Sequence, residues 1–308
     1  MSDALIPLVD FNDYRAGGDR RARFVATLGR GLEATGFVKV TGHGVPQELL
    51  ERAYTVAAET FALSADTKRQ YENPTISRQR GYTSFGVERA KDRDVGDLKE
   101  FWHVGAELSE DHALVLSGDI PANHYPTELP SFRSTFQPLF GALEEFGKDL
   151  LVAIGDHLGL PEAYFRDMVE DGNSVLRIIH YPDNPASIPG AVRAAEHEDI
   201  NLLTVLPVST RPGLQLLTRD GEWIAVDAAP GVMVCDTGDM MQVLTNGRIP
   251  ATTHRVVNPP ASDGGRFSMP FFLHPHPDHV LTPMGPGGAA PISSRDFLLQ
   301  RLRDNGVG

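Results

Sequence analysis

Cysteine is almost missing from this chain. Cys235 is the only one in 308 residues, so no intramolecular disulfide can form and a disulfide-stapled scaffold is excluded. Its setting, G-V-M-V-C-D, predicts a buried strand in which the thiol behaves as a small apolar group. Long apolar runs are missing too. No stretch reaches the length of a membrane-spanning helix. The first ten residues, M-S-D-A-L-I-P-L-V-D, carry no basic segment ahead of an apolar core, so no signal peptide is expected. These two features predict a cytoplasmic protein without a membrane partner. Positive charge is also scarce. Lys and Arg number 28 against 41 Asp and Glu, a formal net charge of −13. Binding nucleic acid requires a basic surface, so no such partner is expected. Internal repeats and low-complexity tracts are absent. The 41% hydrophobic content is enough to build a sizeable core, which fits a globular chain.

The pattern along the chain changes midway. Ile6 to Phe11 reads as a short extended segment. Asp19 is placed to cap a helix running to about Thr35, with Phe24, Leu28 and Leu32 on one face and Gly36 as the stop. Phe37 to Val40 predicts a strand. Pro46 opens a second helix carrying Leu50, Ala53, Ala57 and Phe61 on one side. Ser64 caps a further short helix to Tyr71. From Asn73 to about Leu129 glycines and prolines break every pattern, as in the mouth of a site or a surface excursion. Ser131 to His157 is the longest helical stretch, with Phe132, Phe136, Phe140, Leu143 and Leu150 in its apolar stripe. Pro138 inside it predicts a kink or a later start, and Pro161 opens another short helix. After Ser174 the texture is short strands: Val175–Tyr181, Leu202–Leu206, Leu214–Leu217, Trp223–Val226, Val232–Cys235, Met240–Leu244, Thr252–Val257 and Phe267–Leu273. Such spacing suits an antiparallel sandwich or barrel. Ser294 to Asp304 reads as a closing helix. The expected division is a helical N-terminal region, 1–130, and a long helix plus β core, 131–308.

The chemistry concentrates between Ala195 and Ser268. His197 and Asp199 stand two apart, so on an extended chain both point to one face. His254 lies far downstream among β-branched residues that suit a strand. Two histidines and one carboxylate match the ligand set of a non-haem Fe(II) oxygenase, which leaves coordination positions open. A metal-free histidine–aspartate pair is the plainer alternative for His197 and Asp199 alone. Arg266 and Ser268, also two apart, can offer a guanidinium and a hydroxyl to one carboxylate. Arg177 lies four before Tyr181 and shares its face. Its partner is either a protein acid or a substrate carboxylate. His43 in T-G-H-G-V-P reads as part of a turn. His274, His276 and His279 read as surface groups, and Arg80, Tyr82, Lys99 and Trp102 as packing or surface groups near a mouth.

An ordered set of motifs then carries a resemblance. It includes I-P-L-V-D, G-F-V-K-V-T-G-H-G-V-P, D-L-K-E-F-W, L-R-I-I-H-Y-P, H-E-D, D-T-G-D-M-M-Q, T-N-G, T-T-H-R-V-V and R-F-S. Together they resemble the isopenicillin N synthase-like family of Fe(II)/2-oxoglutarate dioxygenases over nearly the whole chain. The resemblance implies a mainly β protein with flanking helices (α+β), built on a double-stranded β-helix, or jelly roll. It implies Fe(II) held by His197, Asp199 and His254, with no catalytic group beyond the metal centre. It implies 2-oxoglutarate bound through Arg266 and Ser268, with Tyr181 matching the tyrosine of an Asn-x-Tyr-Pro motif whose asparagine position is Ile179 here. Oxidation of a small organic molecule, by hydroxylation or desaturation, with O2 consumed and succinate and CO2 released, is the implied activity. Arg177 is the substrate-side candidate. A 2-oxoglutarate-independent oxidase and a non-catalytic binding module are the alternatives. A monomer or weak homo-oligomer is expected.

Overall fold

The computed structural model describes residues 5–88, 96–183, 192–258 and 264–304. Met1 to Ala4, the part of the punctuated segment over 89–95 and the P-P-A-S-D portion of the T-T-H-R-V-V-N-P-P-A-S-D-G-G-R-F-S stretch lie outside the described residues.

Strands follow the helices much as the patterning predicts. They are β1 (Leu8–Asp10), β2 (Phe37–Thr41), β3 (Gly81–Thr83), β4 (Glu100–Gly105), β5 (Val175–Tyr181), β6 (Ala194–His197), β7 (Leu203–Pro207), β8 (Leu214–Leu217), β9 (Trp223–Ala225), β10 (Met233–Thr237), β11 (His254–Val256), β12 (Arg266–Ser268) and β13 (Phe271–Leu273). The larger sheet runs β1-β2-β10-β7-β13-β5-β4-β3, with β12 also on β5. The smaller runs β6-β11-β8-β9. Only β1 and β2 pair in parallel; the other pairs in these two sheets are antiparallel. A cavity of about 390 Å³ lies between the two sheets, lined by residues of both. The arrangement is a jelly roll with helices packed on its outer side.

Those helices bury the back of the large sheet. The helix Ser131–Leu158 sinks Phe132, Phe136, Leu139, Phe140, Leu143, Phe146, Leu150 and Ile154 into the main core. Phe140 meets Phe271 of β13 edge-on at 4.9 Å. The helix starts at Ser131 and continues through Pro138, so the later start allowed by that proline does not occur. Pro138 and Ser134 are both exposed, and water can take the carbonyl that loses its helical donor. The helix Gly18–Thr35 is entered from Gly17, not capped by Asp19, which sits in its first turn, where a carboxylate favours the positive end. It stops at Gly36, whose φ of 68° is left-handed. A side chain there would also meet the Pro250 carbonyl at 2.6 Å. This turn delivers Phe37 against the His254 ring, 5.8 Å away.

Three predicted elements are corrected. Met240–Leu244 is not a strand but lies in a helix, Asp239–Leu244; a short apolar run does not reveal its period. Phe267–Leu273 is two strands, because Met269 and Pro270 break it and proline cannot donate to the ladder. The segment Asn73–Leu129 contains a six-residue strand, β4, with every residue buried. Trp102 and Val104 face the core, and Phe101 and His103 face the cavity. A strand buried on both sides shows no polar alternation, so the pattern conceals it.

Candidate metal centre and active site

Strand alternation aims the side chains. On β5, Val175, Arg177, Ile179 and Tyr181 line the cavity, while Leu176 and Ile178 enter the core. This is the period of two on which the shared face of Arg177 and Tyr181 rests. The antiparallel pairing of β6 with β11 sets His197 opposite His254, and their rings are 4.4 Å apart. Asp199 follows just beyond β6. Asp199 Oδ1 lies 3.9 Å from His197 Nε2 and 3.7 Å from His254 Nε2. One ligand atom from each residue falls within 4.8 Å of the others, the one such cluster among the described residues.

The three groups are held in the ligating state. His197 Nδ1 donates to the Ala195 carbonyl at 2.7 Å, and His254 Nδ1 donates to the Thr252 carbonyl at 3.0 Å. A carbonyl can only accept, so in the neutral imidazole each Nε2 carries the lone pair toward the cavity. Enclosure first, and the neighbouring His254 second, push His197 down to about 4, so it is neutral at ordinary pH. Thr204 donates to Asp199 Oδ2, leaving Oδ1 for the shared point. Asn201 supports Thr204 at 3.0 Å. Asp236 lies beside Asp199 in the same wall, and burial together with that carboxylate's charge pushes its own carboxyl well up. Thr204 and Asn201 escaped the sequence reading, since nothing local marks them as neighbours of the triad, and Asp236 stands in the D-T-G-D-M-M-Q motif without a role assigned to it there.

A few strand positions away sits a buried arginine. Arg266 is only 2% exposed and pairs in register with Tyr181; Ser268 pairs with Ile179. Arg266 Nε donates to the Arg211 carbonyl at 3.0 Å and Nη2 to Ser209 Oγ at 2.7 Å. Ser209 also meets Ser268 Oγ at 3.0 Å. The guanidinium lies 5.0 Å from the Tyr181 ring centroid. Nη1 is buried with no acceptor, and no carboxylate among the described residues forms a salt bridge with this arginine. Ile179 adds an apolar surface next to it. An unsatisfied buried guanidinium donor beside two hydroxyls suits the end of a dicarboxylate, and three ligands on one face suit Fe(II). The residues present therefore fit both groups.

Arg177 lines the cavity, and of the two partners open to it from the sequence it has a protein acid. Its Nη1 meets Glu88 Oε2 at 3.1 Å and its Nε donates to His103 Nε2 at 2.7 Å. Glu88 also holds Lys99 at 2.7 Å, and Lys99 holds Asp97 at 2.8 Å. Burial alone would raise the Glu88 carboxyl, but Arg177 and Lys99 outweigh it and hold it well below the usual carboxylate range. His274 is corrected from a surface group: it is buried and lines the cavity, because it continues the inward face of Phe272. His43 accepts from the Val45 amide at 3.0 Å, the bond of a turn. Arg80 and Trp102 are fully buried packing groups.

Comparison with known proteins bears on this geometry. Residues 6–128 match the N-terminal model of non-haem dioxygenases in morphine synthesis, and residues 172–275 match the 2OG-Fe(II) oxygenase superfamily. The chain is 30% identical to a 2-oxoglutarate-Fe(II) type oxidoreductase of Emericella nidulans, over 91% of this chain and 82% of that protein. It is 33% identical to flavanone 3-dioxygenase 2 of Oryza sativa subsp. japonica, over 89% and 75%. A crystal structure of a 2OG-Fe(II) oxygenase family protein from Caulobacter crescentus superposes with a TM-score of 0.86 at 37% identity, over 97% of this chain and 98% of that one. A Neurospora crassa protein solved with alpha-KG and thymine superposes at 0.84 and 26% identity, over 97% and 96%. This chain therefore belongs to the 2OG-Fe(II) oxygenase superfamily and is an Fe(II)- and 2-oxoglutarate-dependent oxygenase.

Proposed function

We propose that His197, Asp199 and His254 hold the iron, that Arg266, Ser268 and Tyr181 hold the distal carboxylate of 2-oxoglutarate, and that the rest of the cavity receives a small organic substrate. The convergence of two lone-pair-bearing Nε2 atoms and Asp199 Oδ1 carries this assignment. Bound Fe(II) supplies O2 activation coupled to oxidative decarboxylation of 2-oxoglutarate to succinate and CO2. The protein's own part is orientation and exclusion of water. The Ala195 and Thr252 carbonyls fix the histidine rings, and Thr204 fixes Asp199. Arg266 sets the depth at which the cosubstrate sits. The apolar wall of Phe37, Ile179, Leu206 and Val256 keeps the site dry.

The chain is also read as cytoplasmic, as a monomer or weak homo-oligomer, and as free of nucleic-acid and membrane partners. Its net charge of −13 and single cysteine support this. The division at residue 130 stands as a proposal.

Anaerobic titration with Fe(II) tests the metal assignment. About one equivalent should bind per chain. His197→Ala should lose most of that affinity and all succinate formation while keeping the wild-type circular dichroism spectrum. Undiminished iron binding in this variant would remove His197 from the centre. A protein that binds iron and oxidises substrates without consuming 2-oxoglutarate would instead favour the oxidase alternative.

A further inference from the structure

Resting on the oxygenase assignment above, we propose that the wall formed by Arg177 and Glu88 recognises the cis-amide edge of a neutral ring, a lactam or cyclic imide, as the substrate to be oxidised. The first support is the way these side chains leave atoms over. Arg177 spends Nε on His103 and Nη1 on Glu88 Oε2. Glu88 Oε2 receives both Arg177 and Lys99. Among the described residues the side-chain hydrogen bonds of Arg177 use Nε and Nη1, and the contacts to Glu88 fall on Oε2, so Arg177 Nη2 and Glu88 Oε1 take part in none of them. A two-pronged arginine–carboxylate pair would have used both. The one-pronged contact instead leaves a donor and an acceptor on neighbouring side chains that line the cavity.

The second support is charge. Glu88 and Asp97 are balanced by Lys99 and Arg177, all within one connected set. His103 adds none: its Nδ1 donates to the Arg78 carbonyl at 3.0 Å, and its Nε2 accepts from Arg177. A balanced wall offers no surplus charge to an acid or an amine. A second ion brought in would be desolvated without a new counterion.

The third support is shape. A trans amide holds its N–H and C=O on opposite sides, and a cis amide holds both on one edge. In an open chain the cis form costs about 3 kcal/mol, whereas a small ring imposes it. The ring's faces then find apolar neighbours. The Arg177 guanidinium lies 4.4 Å from the Phe101 ring centroid and 5.3 Å from that of Phe272, and Ile179 and Pro270 line the same cavity. Arg177 stands four positions from Tyr181 on β5, about 13 Å along an extended strand, and Arg266 pairs with Tyr181, so the amide edge and the cosubstrate arginine lie toward different ends of β5.

Anaerobic calorimetry on the protein loaded with Fe(II) and 2-oxoglutarate tests this. The probes are glutarimide, N-methylglutarimide and cyclohexanecarboxylate. Wild type should bind glutarimide at least about tenfold tighter than either of the others, since each loses one hydrogen bond or brings an unbalanced charge. Glu88→Gln leaves one positive charge in excess and should shift preference toward the carboxylate by about tenfold. The N-methyl probe keeps the test valid if that variant fails to fold. Equal affinity for the imide and its N-methyl form, tighter binding of the carboxylate to wild type, or no binding of the imide at millimolar concentration would each overturn the proposal. Loading with iron and cosubstrate is measured first. A protein that loads but ignores the imide refutes this proposal alone, and one that does not load refutes the site assignment on which it rests.

Discussion

Two arginines enter the same cavity and meet opposite surroundings. Arg266 has neutral partners, a backbone carbonyl and the Ser209 hydroxyl, and one buried nitrogen without an acceptor. Arg177 has Glu88, His103 and the faces of Phe101 and Phe272. Both are arginines on inward-facing strand positions, so residue type and strand period do not separate them. What separates them is the counterion. A buried cation without an acid is incomplete until an anion arrives, whereas one already matched is part of the wall. In the proposed assignment the first receives the cosubstrate carboxylate, and the second orients a neutral neighbour.

The largest effect should come from breaking the incomplete side. Arg266→Met takes away the proposed charge-assisted contact to 2-oxoglutarate, and the Michaelis constant for that cosubstrate should rise on the order of a hundredfold. Stability without ligand should change by less than about 1 kcal/mol, because no buried acid is left behind. Cosubstrate added with Fe(II) should raise the melting temperature of wild type and leave that of the variant unmoved. A variant that retains the thermal shift would show that the carboxylate docks elsewhere.

Breaking the matched side should act on the fold instead. Arg177→Met strands Glu88 beside Lys99 alone and should cost on the order of 3 kcal/mol. Combining it with Glu88→Gln should recover part of that loss, a coupling of about 1–2 kcal/mol in a double-mutant cycle followed by denaturant unfolding. Additive losses would mean that the ion pair does not hold the wall together.

How much of this contrast the sequence revealed depends on distance along the chain. The triad was legible because two of its members are two residues apart and the third sits in its own strand signal. The cavity-facing set on β5 was legible from the period of two. Glu88 and Lys99 were not, because an acid 89 positions upstream of Arg177 leaves no local trace of contact. The same holds for β4, which carries His103 to Arg177 but is buried on both sides, so its alternation vanishes. His274 was misread for a related reason: prolines around it suggest a loop, while β13 in fact aims it inward.

The smallest expected effect concerns acid. The Glu88 carboxyl feels burial, which raises it, and the charges of Arg177 and Lys99, which outweigh burial and set it below its ordinary 4.5. A carboxylate lowered in the folded state contributes stability that is present above its unfolded value and lost as pH falls below it. His103 acts with the same sign over a different window. Burial first and the Arg177 charge second push it well below 6.5, so stability falls from about pH 6.5 downward as the unfolded chain takes up its proton. That contribution is largely common to wild type and Glu88→Gln, and subtracting one from the other isolates the carboxylate. The stability advantage of wild type over Glu88→Gln should therefore be flat from about pH 7 to 5 and shrink on the order of 1 kcal/mol between about pH 4.5 and 3. Denaturant midpoints measured across this range check it. An advantage that stays constant down to pH 3, or grows, would mean that Glu88 is not held as an anion by its two cations.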